Sequence, residues 1–189
     1  MHAQLAAVVA DLETASARVR RLQAWLSSSG WSARPAPGRW SAAECVAHLN
    51  LTSGALLPLL HTALRHARHR DRPAPSRYRR GAMGWLVSQI IAPSGGVKTA
   101  TIAAFEPSAV QPIDAVVGEF ARFQAEIITC VHDADGLPLE RVRVRSPFDG
   151  RVSVNLYAAL TLVPRHQHRH LHQAEQAAQA HAPAAAAAV

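Results

Sequence analysis

Four histidines crowd into one stretch of the chain, at His166, His168, His170 and His172, out of eleven in 189 residues. A neutral imidazole is a proton shuttle or a metal ligand, so what matters is which rings share a face. Residues four apart on a helix lie one above the other, which gives two pairs, His166 with His170 and His168 with His172. Two residues turn a helix by about 200°, so the pairs point to opposite sides. The apolar rhythm Leu156, Ala159, Val163 leads into His166, His170, Gln173 and Ala177, and so the first pair continues the buried stripe. The second pair follows Thr161 and Arg165 toward Glu175 and Gln176, and is expected to be exposed. Two imidazoles buried one turn apart are either satisfied core side chains or two arms of a metal chelate. A chelate needs a third ligand, and His48, on an apolar face with Cys45, Ala55 and Leu59, is the candidate. Three nitrogen ligands leave one position open, the arrangement of catalytic rather than structural zinc. Nickel and iron also suit imidazole-rich sites. His2, His181, His61, His66, His69 and His132 are set aside by position, at the termini, near a basic stretch or at a helix end.

Long amphipathic helices must hold these residues. Leu5, Val8, Leu12, Ala15, Val19, Leu22 and Leu26 alternate three and four apart, predicting a first helix over His2 to Ser28. Ser27 to Gly30 stops it, and Arg34 to Gly38 is expected to be a loop. Ser41-Ala-Ala-Glu44 is a capping box, flanked by Trp40 and Cys45 at the staple positions, and opens a second helix to His69 that Pro58 should kink. Gly81 to Ala92 reads as a short buried helix, followed by irregular chain to Pro112. A third long helix runs from Ile113 to Val131 with Val116, Val117, Phe120 and Ile127 on its core face. Val142, Val144, Val152 and Val154 fit a small ribbon or an extended connection. The last helix spans Asn155 to His181. The pattern predicts an all-α four-helix bundle with long loops and a short extra helix. It forms a single domain over residues 1–181, with an Ala-rich disordered tail at 182–189.

Charge adds little. Arg65 to Arg80 holds seven of the 20 basic residues and one of the 13 acids, so the net charge of +7 is concentrated there. Pro73 and Pro75 break regular structure within it, and only Tyr78 interleaves as an aromatic, which fits a solvated linker better than a nucleic-acid surface. The longest apolar run, Ala82 to Ala92, is too short to cross a bilayer. Two cysteines exclude a disulfide framework. A cytoplasmic protein is expected.

Gly38-Arg-Trp-Ser-Ala-Ala-Glu-Cys-Val-Ala-His48-Leu resembles the Trp-Ser-x-x-Glu-x-x-x-His-Leu segment of the DinB-like (DinB/YfiT) metalloenzymes. His166-Gln-His-Arg-His170-Leu-His-Gln173 is similar to the family's last-helix His-x-x-x-His-x-x-Gln segment. Lys98-Thr99, Phe105-Glu-Pro107 and Ser146 to Arg151 are similar to its connecting loops. The resemblance covers Gly38 to about Gln176. It implies a divalent metal on His48, His166 and His170, frequent homodimers, and in some members thiol-dependent S-transfer or isomerisation with bacillithiol, mycothiol or glutathione.

On this reading the protein is a metal-dependent, thiol-using S-transferase or isomerase acting on a small molecule. The alternative is a non-catalytic, metal-stapled bundle that binds a ligand or serves a stress response. Gln173 is a candidate to orient a ligand, or else a solvent-exposed helix residue. Glu44 is a candidate brace for His48, or only half of the capping box. Asn155 and Tyr157 are candidate substrate contacts, with N-cap and core packing as their structural alternatives. Gly84-Trp85-Leu86 either lines a pocket or packs in the core.

Overall fold

Local chemistry sets the helix ends. The protein's structure, a computed structural model, describes residues 1–92, 102–107 and 111–180. Helix α1, Ala3–Trp25, opens where the His2 ring accepts a hydrogen bond from the Gln4 N–H. It ends three residues before the predicted Ser28, because Ser27 caps a separate one-turn helix, α2 (Ser28–Ser32), through the Gly30 N–H. That turn, at the expected helix stop, buries Trp31, and the expected loop follows over Arg34 to Gly38. Helix α3, Ala42–Arg68, begins at the predicted capping box: the Glu44 N–H donates to Ser41 Oγ and the Ser41 N–H to Glu44 Oε2 at 2.9 Å. It stays one helix through Pro58, which lies on its exposed side. Helices α4 (Gly81–Ile90), α5 (Ile113–Asp133) and α6 (Leu156–Gln179) follow. Between the last two, β1 (Arg143–Arg145) and β2 (Ser153–Asn155) form the antiparallel ribbon, with Val144 opposite Val154. The Lys98-Thr99 segment and the Ala-rich tail lie outside the described residues.

The four long helices pack in a ring: α1 and α3 each contact both α5 and α6. Shared core residues give their directions. The start of α3 lies with the ends of α1 and α6 and the start of α5, so α1 and α6 run one way and α3 and α5 the other. α4 and the ribbon sit outside this ring against the start of α6. The approach of α4 is close enough to require glycine, since a Cβ on Gly84 would meet the Ala158 Cβ at 2.5 Å.

The core is not continuous. One apolar cluster is built on Leu5 to Leu12, Leu57 to Leu64, Ile127 to Val131 and Leu156 to Val163, and a second on Ala15 to Leu22, Cys45 to Leu49, Val116 to Phe120 and Leu171 to Ala178. Between them lies a layer of buried polar side chains: His48, Thr52 and Ser53 of α3, Gln124 of α5, and Gln167 and His170 of α6. Burying a leucine in each of these places would contribute about 1.5–3 kcal/mol, so the fold gives up stability at this one level. No described helix is long and apolar enough to cross a membrane.

Candidate metal centre

The centre lies in this polar layer, where α3 and α6 touch. His48 stands on the second turn of α3 and is 3% exposed. Its Nδ1 lies 2.8 Å from the Phe105 carbonyl oxygen, at the end of a one-turn 3-10 helix (Ala103–Phe105). A carbonyl can only accept, so Nδ1 carries the proton and Nε2 keeps the lone pair. A backbone carbonyl on the far nitrogen is the usual means of fixing the orientation and tautomer of a metal-bound imidazole.

His166 and His170 come from α6, one turn apart as the spacing predicts. The ring centroids are 4.4 Å apart for His48 and His170, 5.3 Å for His48 and His166, and 4.6 Å for His166 and His170. One ligand nitrogen from each ring lies within 4.8 Å of the others, a grouping that can hold a metal ion. Among the described residues no fourth His, Cys, Asp or Glu joins it. Trp40 covers one side, its ring 5.0 Å from His48 and 6.0 Å from His170. Phe148, in the turn between the strands, lies 5.7 Å from His166 and 4.8 Å from Phe105.

Burial makes all three imidazoles neutral. It lowers the pKa of His48 against the opposing hydrogen bond from Phe105, and takes His170 down to about 3 with the neighbouring His48 adding to the shift. His166 falls well below the usual histidine value, mainly by desolvation and then by His170 and His48. Neutral rings repel no cation and hold lone pairs for one. The Nδ1 of His170 is buried with no hydrogen-bond partner. An orphaned buried nitrogen costs about 1–3 kcal/mol, and coordination would satisfy it. The donor set fits a divalent ion that favours nitrogen.

The remaining candidates divide. Gln173 adjoins His170 and opposes part of the pKa shift that burial imposes on that ring, so it does belong to the surroundings of the centre. Glu44 does not brace His48. Its carboxylate takes the Ser41 N–H and hydroxyl and the Arg34 guanidinium, which hold its pKa below the usual carboxylate value although burial opposes them. Phe105 does the bracing instead. Asn155 is the N-cap of α6, accepting from the Ala158 N–H at 2.8 Å and donating to the Arg79 carbonyl. Tyr157 stacks on Tyr78 at 5.1 Å and accepts from Gln4. Gly84 is buried against Ala158 of α6, but Trp85 and Leu86 do not pack in the core; they are exposed, at 59% and 47%. His172 is exposed as expected, but His168 is half-buried against α1 and accepts from Arg18, which also forks onto Glu175. The buried face of α6 is wider than the predicted stripe: Leu156, Ala159, Val163, His170 and Ala177 are buried as expected, but Leu160, Gln167, Leu171 and Ala174 are sealed with them. His166 and Gln173 stand half-buried at its edge. Sequence reasoning missed Gln167, which the rhythm of Leu160, Leu171 and Ala174 would have found, and the Phe105 carbonyl, which has no side-chain signal.

Beside His166 lies a partly open cavity of about 130 Å³, lined by α3, α4, the ribbon and α6.

A four-helix bundle whose divided core carries three neutral imidazoles from two adjacent helices defines a class of helical protein with a nitrogen-rich site that could hold a metal ion. The sequence profile of the DinB superfamily matches residues 11–174, and the chain belongs to that superfamily. No curated protein and no solved structure gives a significant match.

Proposed function

We propose that this protein is a divalent-metal enzyme, a thiol-dependent S-transferase or isomerase, with His48, His166 and His170 as the ligands and zinc, nickel or iron as the ion. One observation carries the reading: three neutral nitrogen donors, joined by no fourth ligand among the described residues, at the edge of a cavity. Bound there, a divalent ion supplies the positive charge that lowers the pKa of a thiol or water at its open position.

The chain's own groups do the rest. The Phe105 carbonyl orients the His48 ring. Trp40 and Phe148 narrow the access of water to the rings. The protein's own thiols are poor nucleophiles. Cys45 and Cys130 are buried, and burial pushes their pKa values up to about 12 and about 11. The sulfur nucleophile therefore comes from a small molecule, a low-molecular-weight thiol. The same proposal includes a homodimer, for which Met83, Trp85 and Leu86 offer an exposed apolar surface on α4.

The test is metal analysis of untagged protein, prepared without chelator, beside His48→Ala and His170→Ala. One equivalent of metal in the wild type and its loss in both variants is expected. Undiminished metal in both defeats the ligand assignment. A panel of thiols against electrophiles then separates the enzyme from a metal-stapled ligand-binding bundle. That second reading draws on the site's position between the two cores, where an ion would tie α3 to α6. Metal without turnover of any thiol favours it.

A further inference from the structure

The cavity beside His166 has a size and chemistry of its own, which say what enters it. Its volume is about 130 Å³, and an apolar cavity of about 150 Å³ takes up benzene. Leu56 of α3, Val87 of α4, Val154 of β2, Leu162 and Val163 of α6, and Phe148 supply most of its wall. Thr52, Ser146, His166 and the exposed Arg145 also line it, and so do two buried neutral polar side chains from its inner side, Ser53 and Gln167, which are 5% and 1% exposed.

The Gln167 amide is oriented by a relay that starts on α1. Gln124 Nε2 donates to the Leu12 carbonyl at 2.9 Å and to Ser16 Oγ at 3.2 Å. A carbonyl only accepts, so the Gln124 amide has one orientation, with its oxygen toward Gln167. Gln167 Nε2 donates to that oxygen at 2.6 Å, which fixes the Gln167 amide in turn. Its Oε1 is left buried with no partner. A fixed, unpaired acceptor thus lies buried just behind a wall to which Ser53 adds a hydroxyl that can donate or accept.

We infer that this chamber is the subsite for a neutral apolar group of about benzene size bearing one hydrogen-bonding substituent, a hydroxyl or an N–H, which Ser53 and Gln167 read. A hydrocarbon of the same shape leaves Oε1 unpaired. A carboxylate brings a full charge against an acceptor and pays its desolvation, and the cation on the wall, Arg145, is itself solvent-exposed and gains little by pairing with it. His166 lines the same chamber, so a molecule held there abuts the proposed centre. The inference rests on the metal-enzyme reading for what happens to that molecule, but not for its binding.

Binding is therefore measured by NMR titration of phenol, toluene and benzoate into the full chain, both with chelator and with zinc, and zinc uptake is recorded on the same samples. Phenol should bind about tenfold more tightly than toluene, and benzoate more weakly than either. Ser53→Ala should reduce the gap between phenol and toluene to threefold or less. Val87→Phe, which fills the chamber from α4, should remove the binding of both. The inference is overturned if benzoate binds as well as phenol, if Ser53→Ala leaves the gap unchanged, or if Val87→Phe still binds phenol. Phenol binding without zinc uptake defeats the metal reading and leaves this one standing. Zinc uptake without phenol binding does the reverse.

Discussion

Replacing His170 with leucine should make the metal-free protein more stable and the zinc-loaded protein less so. In the metal-free fold His170 is 9% exposed and its Nδ1 has no partner. Removing that nitrogen relieves about 1–3 kcal/mol. Leucine is of similar size, and misfit in the shape-changed site costs less than about 1.5 kcal/mol. The balance at pH 7 is about 1 kcal/mol in favour of His170→Leu. Acid should widen it. The folded-state pKa of His170, about 3, lies below the ordinary 6.5. The unfolded chain therefore takes up the proton first, and wild-type stability falls as pH drops below about 6.5 toward 3. At pH 5 the loss from this one group is about 2 kcal/mol, and His170→Leu does not suffer it. Zinc should reverse the order: at a free concentration 100 times its dissociation constant a native-state ligand adds about 2.7 kcal/mol, and the variant cannot use it. Urea unfolding followed by circular dichroism, with chelator at pH 7 and pH 5 and with zinc at pH 7, measures all three differences. The reasoning is refuted if His170→Leu is the less stable protein in chelator, if the gap stays constant between the two pH values, or if zinc stabilises both proteins equally.

Three further outcomes follow from the packing. Ser41→Ala removes the hydroxyl half of the capping box and should cost about 1 kcal/mol in urea unfolding; no loss would show that the cap adds nothing to α3. Gly84→Ala should destabilise by about 1–3 kcal/mol despite the better helix propensity of alanine, because its Cβ would collide with Ala158. Hydrogen exchange should then speed up in α4 first, and a stabilised variant would contradict the close approach. Both cysteines should resist a thiol-specific chromogenic reagent at pH 8 and titrate as two per chain only after denaturation, since they are buried with raised pKa values. A fast native reaction at either would remove the argument for an external thiol.

The helices and the ligand pattern were legible in the sequence because both are matters of spacing along one chain. The three-and-four rhythm placed α1, α3, α5 and α6, and Ser41 with Glu44 marked the start of α3 to the residue. A four-residue interval brought His166 and His170 onto one face, and the apolar neighbours of His48 put it inside. Where spacing was the only guide it placed Leu156, Ala159, Val163, His170 and Ala177 of α6 inside but missed that Gln167 is sealed and His166 only half-buried. The reason is that α6 packs against α1, α3, α4 and the ribbon together, and their directions decide which residues are sealed.

Tertiary structure alone decided what surrounds each group. The Phe105 carbonyl reaches His48 across 57 positions of chain, and a backbone oxygen leaves no trace in residue identity. Arg34 claims Glu44, and Arg18 draws His168 out of solvent, because helix ends and neighbouring helices bring those charges close. The division of the core into two apolar clusters appears only when four helices are stacked in register, and so does the relay from Leu12 through Gln124 to Gln167. Which residues can bind is written in their types and intervals. Which nitrogen keeps its lone pair, which oxygen stays unpaired and how large a molecule fits beside them are set by contacts between distant segments, and no local pattern encodes those.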